Sequence, residues 1–398
     1  MRAALVLALV LAVSGSASAE PVTVVRNNGP ATNRLNMVIM GDGYTAGGLS
    51  QFARDVDSVL AALFRDPPYS EYANYFNVLR VDVTSTEVGV SHPEVGRNIA
   101  SALGAYYNCG GIQRLICINT SAVNAVLARS VPANQRDLVL VLVNDTEYGG
   151  SGGSIAVAST NFQSSELVLH EYGHTLGLLA DEYTTQPPTC FNSVEPAEVN
   201  ATRETSRSSI KWSAWIDAAT PIPTTGNGAG IPGLYEGAKY CPAGLYRPTN
   251  DSKMRSLGRP FEQINSEQLI LRYYNFVSPI DAVTPSETTL SRVCGERVSF
   301  LVEALRPRTH DLTIRWRVDG VVVSSAAALT LDTAGYRVGN HTVDVTVSDP
   351  TSAVRRDPAL VLQDGRQWTL TVRAPASQGI LGFPERGCGA APLDPARH

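Results

Sequence analysis

The chain has 398 residues, 43% of them hydrophobic and 17% charged, the balance of a globular protein and not of a disordered one. Its 32 basic and 37 acidic side chains contain no Lys/Arg run, so nucleic acid and anionic membrane are excluded as expected partners. A chain this long is expected to hold at least two domains.

The N-terminus reads MRAALVLALVLAVSGSASAE. Arg2 supplies a positive start, residues 3–13 are apolar but too short to span a bilayer, and Ala17-Ser18-Ala19 is an A-x-A cleavage site. Residues 1–19 therefore read as a signal peptide. The expected mature chain starts at Glu20, is exported (secreted or periplasmic) and keeps no membrane segment. Losing Arg2 moves the net charge from −5 to −6. Export changes how the six cysteines read: an even number suggests disulfides, and no C-x-x-C pair argues for a cysteine zinc site. Nearest-neighbour pairing, 109–117, 190–241 and 294–388, is the expectation, although sequence leaves other pairings open.

Short apolar runs at 22–25 and 37–40 predict strands, the second leading into the turn Gly41-Asp42-Gly43-Tyr44. Leu49, Phe52, Val56, Val59, Leu60, Leu63 and Phe64 share one face of a helix over 48–66. Strands are predicted at 76–83 and 137–145, the latter apolar throughout and so buried on both faces. A Gly-rich stretch and a short strand occupy 148–160, and a helix follows with Ser164 or Ser165 as cap and Glu166 in its first turn. Residues 184–250 are rich in Pro, Gly, Thr and Asn and read as a long functional loop region. A helix near 266–276 closes this α/β (α+β) domain, placed at 20–280. From 285 to 376 the chain alternates as strands do, with Asp319-Gly320 as a hairpin turn. That span reads as an all-β immunoglobulin-like sandwich, with 377–398 as a tail.

The chemistry lies in HEYGHTLGLLADEY, residues 170–183. His170 and His174 are four apart, so a helix projects both imidazoles from one face, and Glu171 beside them reaches a metal-bound water without ligating the metal. A catalytic zinc takes three protein ligands and leaves one position for water. In the metzincin pattern H-E-x-x-H-x-x-G-x-x-H the third ligand is a His three residues after the Gly. Gly177 is in place, but Ala180 stands where that His would be. Gly177 is expected to end the helix in a left-handed conformation and turn the chain back. Asp181 is then the favoured third ligand, with Glu182 as the alternative or as a partner orienting a ligating His. Met254, one of only four methionines, suggests an apolar turn beneath the ligands.

The combination resembles the IgA-peptidase family of bacterial metallopeptidases, a metzincin-like group. The segments that carry the likeness are GDGYT at 41–45, YFNVLRVDV and GVSHP within 75–93, VNDTEYGGSGG at 143–153, HEYGHTLGLLADEY, and YRPTNDSKMRSLGRPF at 246–261. The resemblance implies a metzincin-like zinc endopeptidase with one catalytic ion and a protein or peptide substrate. It carries no immunoglobulin specificity. In that reading Glu171 is general base and acid, and Tyr246, near the Met254 turn, is a second candidate catalytic residue that donates to the oxyanion. The Gly-rich 149–153 segment is a candidate rim that pairs with an extended substrate. His92 and Asp42 read as structural, and His310, His341 and His398 as bystanders. Two rivals remain at this point: a secreted adhesin or binding protein with an idle peptidase fold, and a zinc hydrolase acting on a non-protein amide. Sequence leaves the oligomeric state open.

Overall fold

The computed structural model describes residues 18–185, 190, 193–226, 228–375 and 388. The apolar stretch of the expected signal peptide, and all of the expected tail except Cys388, lie outside the described residues. No helix among the described residues is long and apolar enough to cross a membrane.

The first half is built on a six-stranded sheet. In chain order its parts are β1 (Val22–Arg26), β2 (Leu35–Asp42), helix α1 (Leu49–Leu63), β3 (Phe76–Val81), helix α2 (Thr120–Ser130), β4 (Leu138–Val143), β5 (Gly150–Ser151), β6 (Ala156–Ser159) and helix α3 (Ser164–Thr175). The sheet order is β1-β3-β2-β4-β6-β5. The four inner strands are parallel, and β1 and β5 run antiparallel at the edges. Period-2 alternation explains the layering. Leu35, Met37 and Ile39 of β2, with Leu138, Leu140 and Leu142 of β4, face one core with Phe52 and Val56 of α1 and Val168 and Leu169 of α3. The intervening Val38, Met40, Val139, Val141 and Val143 face a second core closed by Val123, Val126 and Leu127 of α2. Both faces of β4 are covered, as its unbroken apolar sequence requires.

After α3 the chain is mostly irregular until the hairpin β7 (Tyr235–Ala238) and β8 (Cys241–Arg247), and then helix α4 (Glu262–Tyr274), which starts four residues before the predicted helix. The remaining strands are β9 (Ile280–Thr284), β10 (Thr289–Val293), β11 (Arg297–Ala304), β12 (Thr313–Val318), β13 (Val321–Ser324), β14 (Ala328–Asp332), β15 (Gly339–Ser348) and β16 (Gln363–Arg373). They form two sheets, β10-β16-β15-β12-β13 and β14-β11-β9. Inward residues of both sheets, among them Val298, Phe300, Trp316, Val343, Val345 and Trp368, share one core. Asp319 and Gly320 both have positive φ, the geometry of the predicted hairpin turn.

The halves are joined by buried polar contacts. Arg34 makes a two-point contact with Asp281 at 2.6 and 2.8 Å. Asp349 accepts hydrogen bonds from the Tyr72 and Tyr274 hydroxyls, both at 2.8 Å, and its other oxygen lies 2.7 Å from His310 Nε2. The three disulfides pair nearest neighbours: Cys109–Cys117, Cys190–Cys241 and Cys294–Cys388.

Candidate metal centre

Helix α3 begins at Ser164, yet neither Ser164 nor Ser165 caps it. Ser164 is inside the helix and buried, its hydroxyl 2.8 Å from that of Ser159, and the cap position is held by Gln163. Glu166 in the first turn meets the Lys253 ammonium. Lys253 is 1% exposed and also binds Asp66 at 2.9 Å, so it ties the Met254 segment to the ends of α1 and α3. Met254 is buried, and its sulfur would lie 2.4 Å from a Cβ placed on Gly173. The glycine at 173 leaves room for the methionine to pack directly on the helix backbone next to His174.

The end of α3 differs from the expectation in its detail. Gly177 does not take the left-handed conformation; Leu178 does, with φ +54°. Gly177 is needed for a different reason. A Cβ there would stand 2.6 Å from the Gly173 carbonyl oxygen and 3.1 Å from Leu179. The Leu178 amide donates to the His174 carbonyl and the Leu179 amide to that of Gly173, which fold the chain back toward the helix.

That return delivers Asp181. Its Oδ1 lies 3.2 Å from Nε2 of His170 and 3.2 Å from Nε2 of His174, and the two Nε2 atoms are 3.2 Å apart. His170 Nδ1 contacts the Lys253 carbonyl at 2.9 Å, and His174 Nδ1 contacts the Leu179 carbonyl at 2.7 Å. A carbonyl only accepts, so both Nδ1 atoms donate outward and each ring turns its Nε2 inward. Asp181 Oδ1 is buried and accepts no hydrogen bond. Two Nε2 atoms and one carboxylate oxygen thus converge within 3.2 Å of one another, the spacing of ligand atoms around a single cation. The donor set, two imidazoles and a carboxylate, suits zinc. Among the described residues this is the cluster that fits a metal ion.

Burial by itself would raise the Asp181 carboxyl, but His170, His174 and Tyr240 hold it well below the usual carboxylate range. Burial likewise works against a charged His174, and the Asp181 contact outweighs it and raises the imidazole. Glu171 is raised by burial, with the two imidazoles only partly offsetting it. Its carboxylate leans on the Gly-rich segment: a Cβ on Gly152 would fall 1.7 Å from Glu171 Oε2.

Other predicted residues fall elsewhere. Glu182 is fully buried and touches neither histidine. Its oxygens accept from Asn200 and Asn265 at 2.9 Å and from Ser252 at 2.7 Å, and its amide donates to the Met254 carbonyl, so it braces the Met254 turn. His170 and His174 are oriented by backbone carbonyls instead. Tyr246 is not brought to the site. Its ring packs with Ile210, Trp212, Leu234 and Ile264 in a separate apolar cluster. A tyrosine hydroxyl does reach the cluster, that of Tyr240, which donates to Asp181 Oδ2. Tyr240 stands at the tip of the β7–β8 hairpin, where Lys239 and Tyr240 both have positive φ, a strained turn for residues with side chains. Gly150 has no free edge to offer, because its amide donates to the Arg114 carbonyl and its carbonyl accepts from Ile116; residues 152–154 are the exposed rim. Asp42 is buried and staples the loop at 101–105, accepting from Ser101 and from the amides of Leu103 and Ala105. His92 is stacked on Tyr107 and lies between Asp145 and Glu94.

Residues 23–229, just over half of the chain, match the family described as IgA peptidase M64. The chain belongs to this peptidase family. The matched span includes all of His170, Glu171, His174 and Asp181, and ends before Tyr240 and Met254. No curated protein matches this M64 peptidase. Among solved structures it is similar to a quinonprotein alcohol dehydrogenase-like protein from Bacteroides thetaiotaomicron, at 12% identity over 22% of this chain and 18% of that one, TM-score 0.17. It is also similar to the fibronectin(III)-like modules of Clostridium thermocellum CbhA, at 14% identity over 23% of this chain and 45% of that one, TM-score 0.18. In both cases this chain spans less than half the length of the structure it matches.

Proposed function

We propose that this chain is a secreted, zinc-dependent endopeptidase that hydrolyses peptide bonds in a protein or peptide substrate. The observation that carries the reading is the convergence of His170 Nε2, His174 Nε2 and Asp181 Oδ1 at 3.2 Å from one another, with the Glu171 carboxylate beside them. His170, His174 and Asp181 would hold the ion. A zinc ion bound there supplies an acidified water and a Lewis acid for the scissile carbonyl. Glu171, with its proton affinity raised by burial, accepts the proton of the attacking water at a carboxylate oxygen and later passes it to the leaving amine. Tyr240 holds Asp181 from behind through Oδ2. Tyr148 and Tyr183 line the same pocket, and Tyr246 has no part.

The buried Met254 under the ligands supports a metzincin-like catalytic unit over residues 20–280. The shared core of the two C-terminal sheets supports an immunoglobulin-like module over 285–376, to which β9 adds a strand from residue 280. Three disulfides suit the oxidising compartment that an exported chain reaches.

The test is digestion of denatured casein by the purified chain beside its Glu171→Ala variant, with products read by mass spectrometry and zinc content measured in both. The expected result is cutting by the parent alone, lost on chelation and restored by zinc. Equal cutting by both would remove Glu171 from the mechanism. No cutting by a zinc-loaded parent would favour the binding-protein alternative.

A further inference from the structure

We propose that the pocket beside Glu171 selects a substrate with an acidic side chain next to the scissile bond, and that Arg114 and Arg255 are the residues that recognise it. The inference rests on the peptidase reading and names the substrate class for that site.

The pocket has a volume of about 350 Å³, and its lining includes Leu167, Leu257, Tyr148 and Tyr183 together with Glu171 and His170. Three cations line it: Arg114, Lys253 and Arg255. Lys253 is already spent, because its ammonium is paired with Asp66 and Glu166. The other two differ. The Arg114 guanidinium is exposed and makes no hydrogen bond or ion pair among the described residues. Arg255 is held only loosely, 3.3 Å from the Asn250 carbonyl and 3.8 Å from Asp251. Asp251 is itself engaged by Arg259 at 3.0 Å. The pocket thus holds one unpaired guanidinium, Arg114, and one weakly held, Arg255, against one carboxylate, Glu171, which leans on Gly152.

Both arginines stand on braced backbone. Arg114 lies inside the loop closed by Cys109–Cys117, and its carbonyl accepts from the Gly150 amide of β5 at 3.0 Å. Arg255 follows Met254 directly, in the segment fixed under the histidines. Two unconnected parts of the fold thus present guanidiniums to one small space. An aliphatic side chain entering it would strip water from these groups and give nothing back, and a lysine or arginine would be repelled. An aspartate or glutamate carboxylate matches the fork of donors that a guanidinium presents.

The experiment is cleavage of a synthetic peptide library by the full exported chain, loaded with zinc, with cut sites read by mass spectrometry. The parent should enrich Asp and Glu at one position flanking the cut, with kcat/KM about tenfold to a hundredfold above the Asn and Gln counterparts. The Arg114→Glu/Arg255→Glu double variant should lose that enrichment and gain Lys or Arg at the same position. Arg114→Gln should reduce the enrichment without inverting it, and serves if the double variant fails to fold. Cutting by the parent without acidic enrichment, or enrichment that survives both substitutions, would overturn the specificity assignment and leave the peptidase reading standing. No cutting beyond that of Glu171→Ala would sink the peptidase reading, and the assignment with it.

Discussion

Gly152 is the position where one methyl group should separate catalysis from folding. Its backbone is not in the left-handed region, so alanine brings no conformational strain there. The added Cβ would stand 1.7 Å from Glu171 Oε2 and 2.5 Å from its Cδ. Ordinary van der Waals contact begins at 3.4 Å, so the carboxylate must retreat by about 1.7 Å. It can do so cheaply, since it is the free end of a flexible side chain, and fold and metal ligands need not move. A base misplaced by more than an ångström loses about a hundredfold in rate. Gly152→Ala should therefore lower kcat on a quenched fluorescent peptide by about two orders of magnitude. Zinc content and melting temperature should stay at the parent values. A variant that keeps a substantial share of the parent's kcat would refute the reasoning, because it would mean that Glu171 does not work from the observed position.

Three further outcomes are expected. Tyr240→Phe removes the hydroxyl behind Asp181 and should weaken zinc binding by about tenfold to a hundredfold in a competition titration, whereas Tyr246→Phe should leave zinc affinity and kcat/KM unchanged. Gly177→Ala forces a methyl against the Gly173 carbonyl and Leu179, and should cost about 1–3 kcal/mol in denaturant unfolding. For His92, burial disfavours the charged ring, but the contacts with Asp145 and Glu94 outweigh it and raise its pKa. A raised folded pKa gives stability that is fully present below the ordinary imidazole value of 6.5 and fades as pH rises through the folded value. The stability gap between parent and His92→Gln should thus be widest below pH 6.5 and narrow on the alkaline side; a gap that widens there would reverse the sign.

What could be read from sequence follows from where the information is local. The unbroken apolar runs of β2 and β4, the apolar face of α1 and the i, i+4 histidines are patterns within one element, and each appears where it was expected. Helix α2 was missed because only Val123, Val126 and Leu127 are buried on it; the faint signal was Asn119, whose side chain accepts from the Ala122 amide. The β7–β8 hairpin was hidden by its turn. Two positive-φ residues normally announce themselves as Asn-Gly or Gly-Gly, and here they are Lys239 and Tyr240. That concealment led to Tyr246, which is nearer to Met254 in sequence, in place of Tyr240. Asp181 stands at the histidines as the spacing after Gly177 favours, whereas the other role offered for Glu182, orienting a ligating His, goes to backbone carbonyls, because adjacent carboxylates in a turn point apart. The uncommitted state of Arg114 depends on what fails to approach it, which no motif encodes.

The contacts across Asp349 and between Arg34 and Asp281 bear on how a long substrate would be handled. Tyr72 follows α1, Tyr274 ends α4, and both hydroxyls are secured by a carboxylate from the C-terminal sheets. The two halves are riveted at points far apart in sequence, so the C-terminal sheets are not cargo on a tether. A substrate segment that met those sheets would stand at a distance from Glu171 fixed by the fold and not by the reach of a linker.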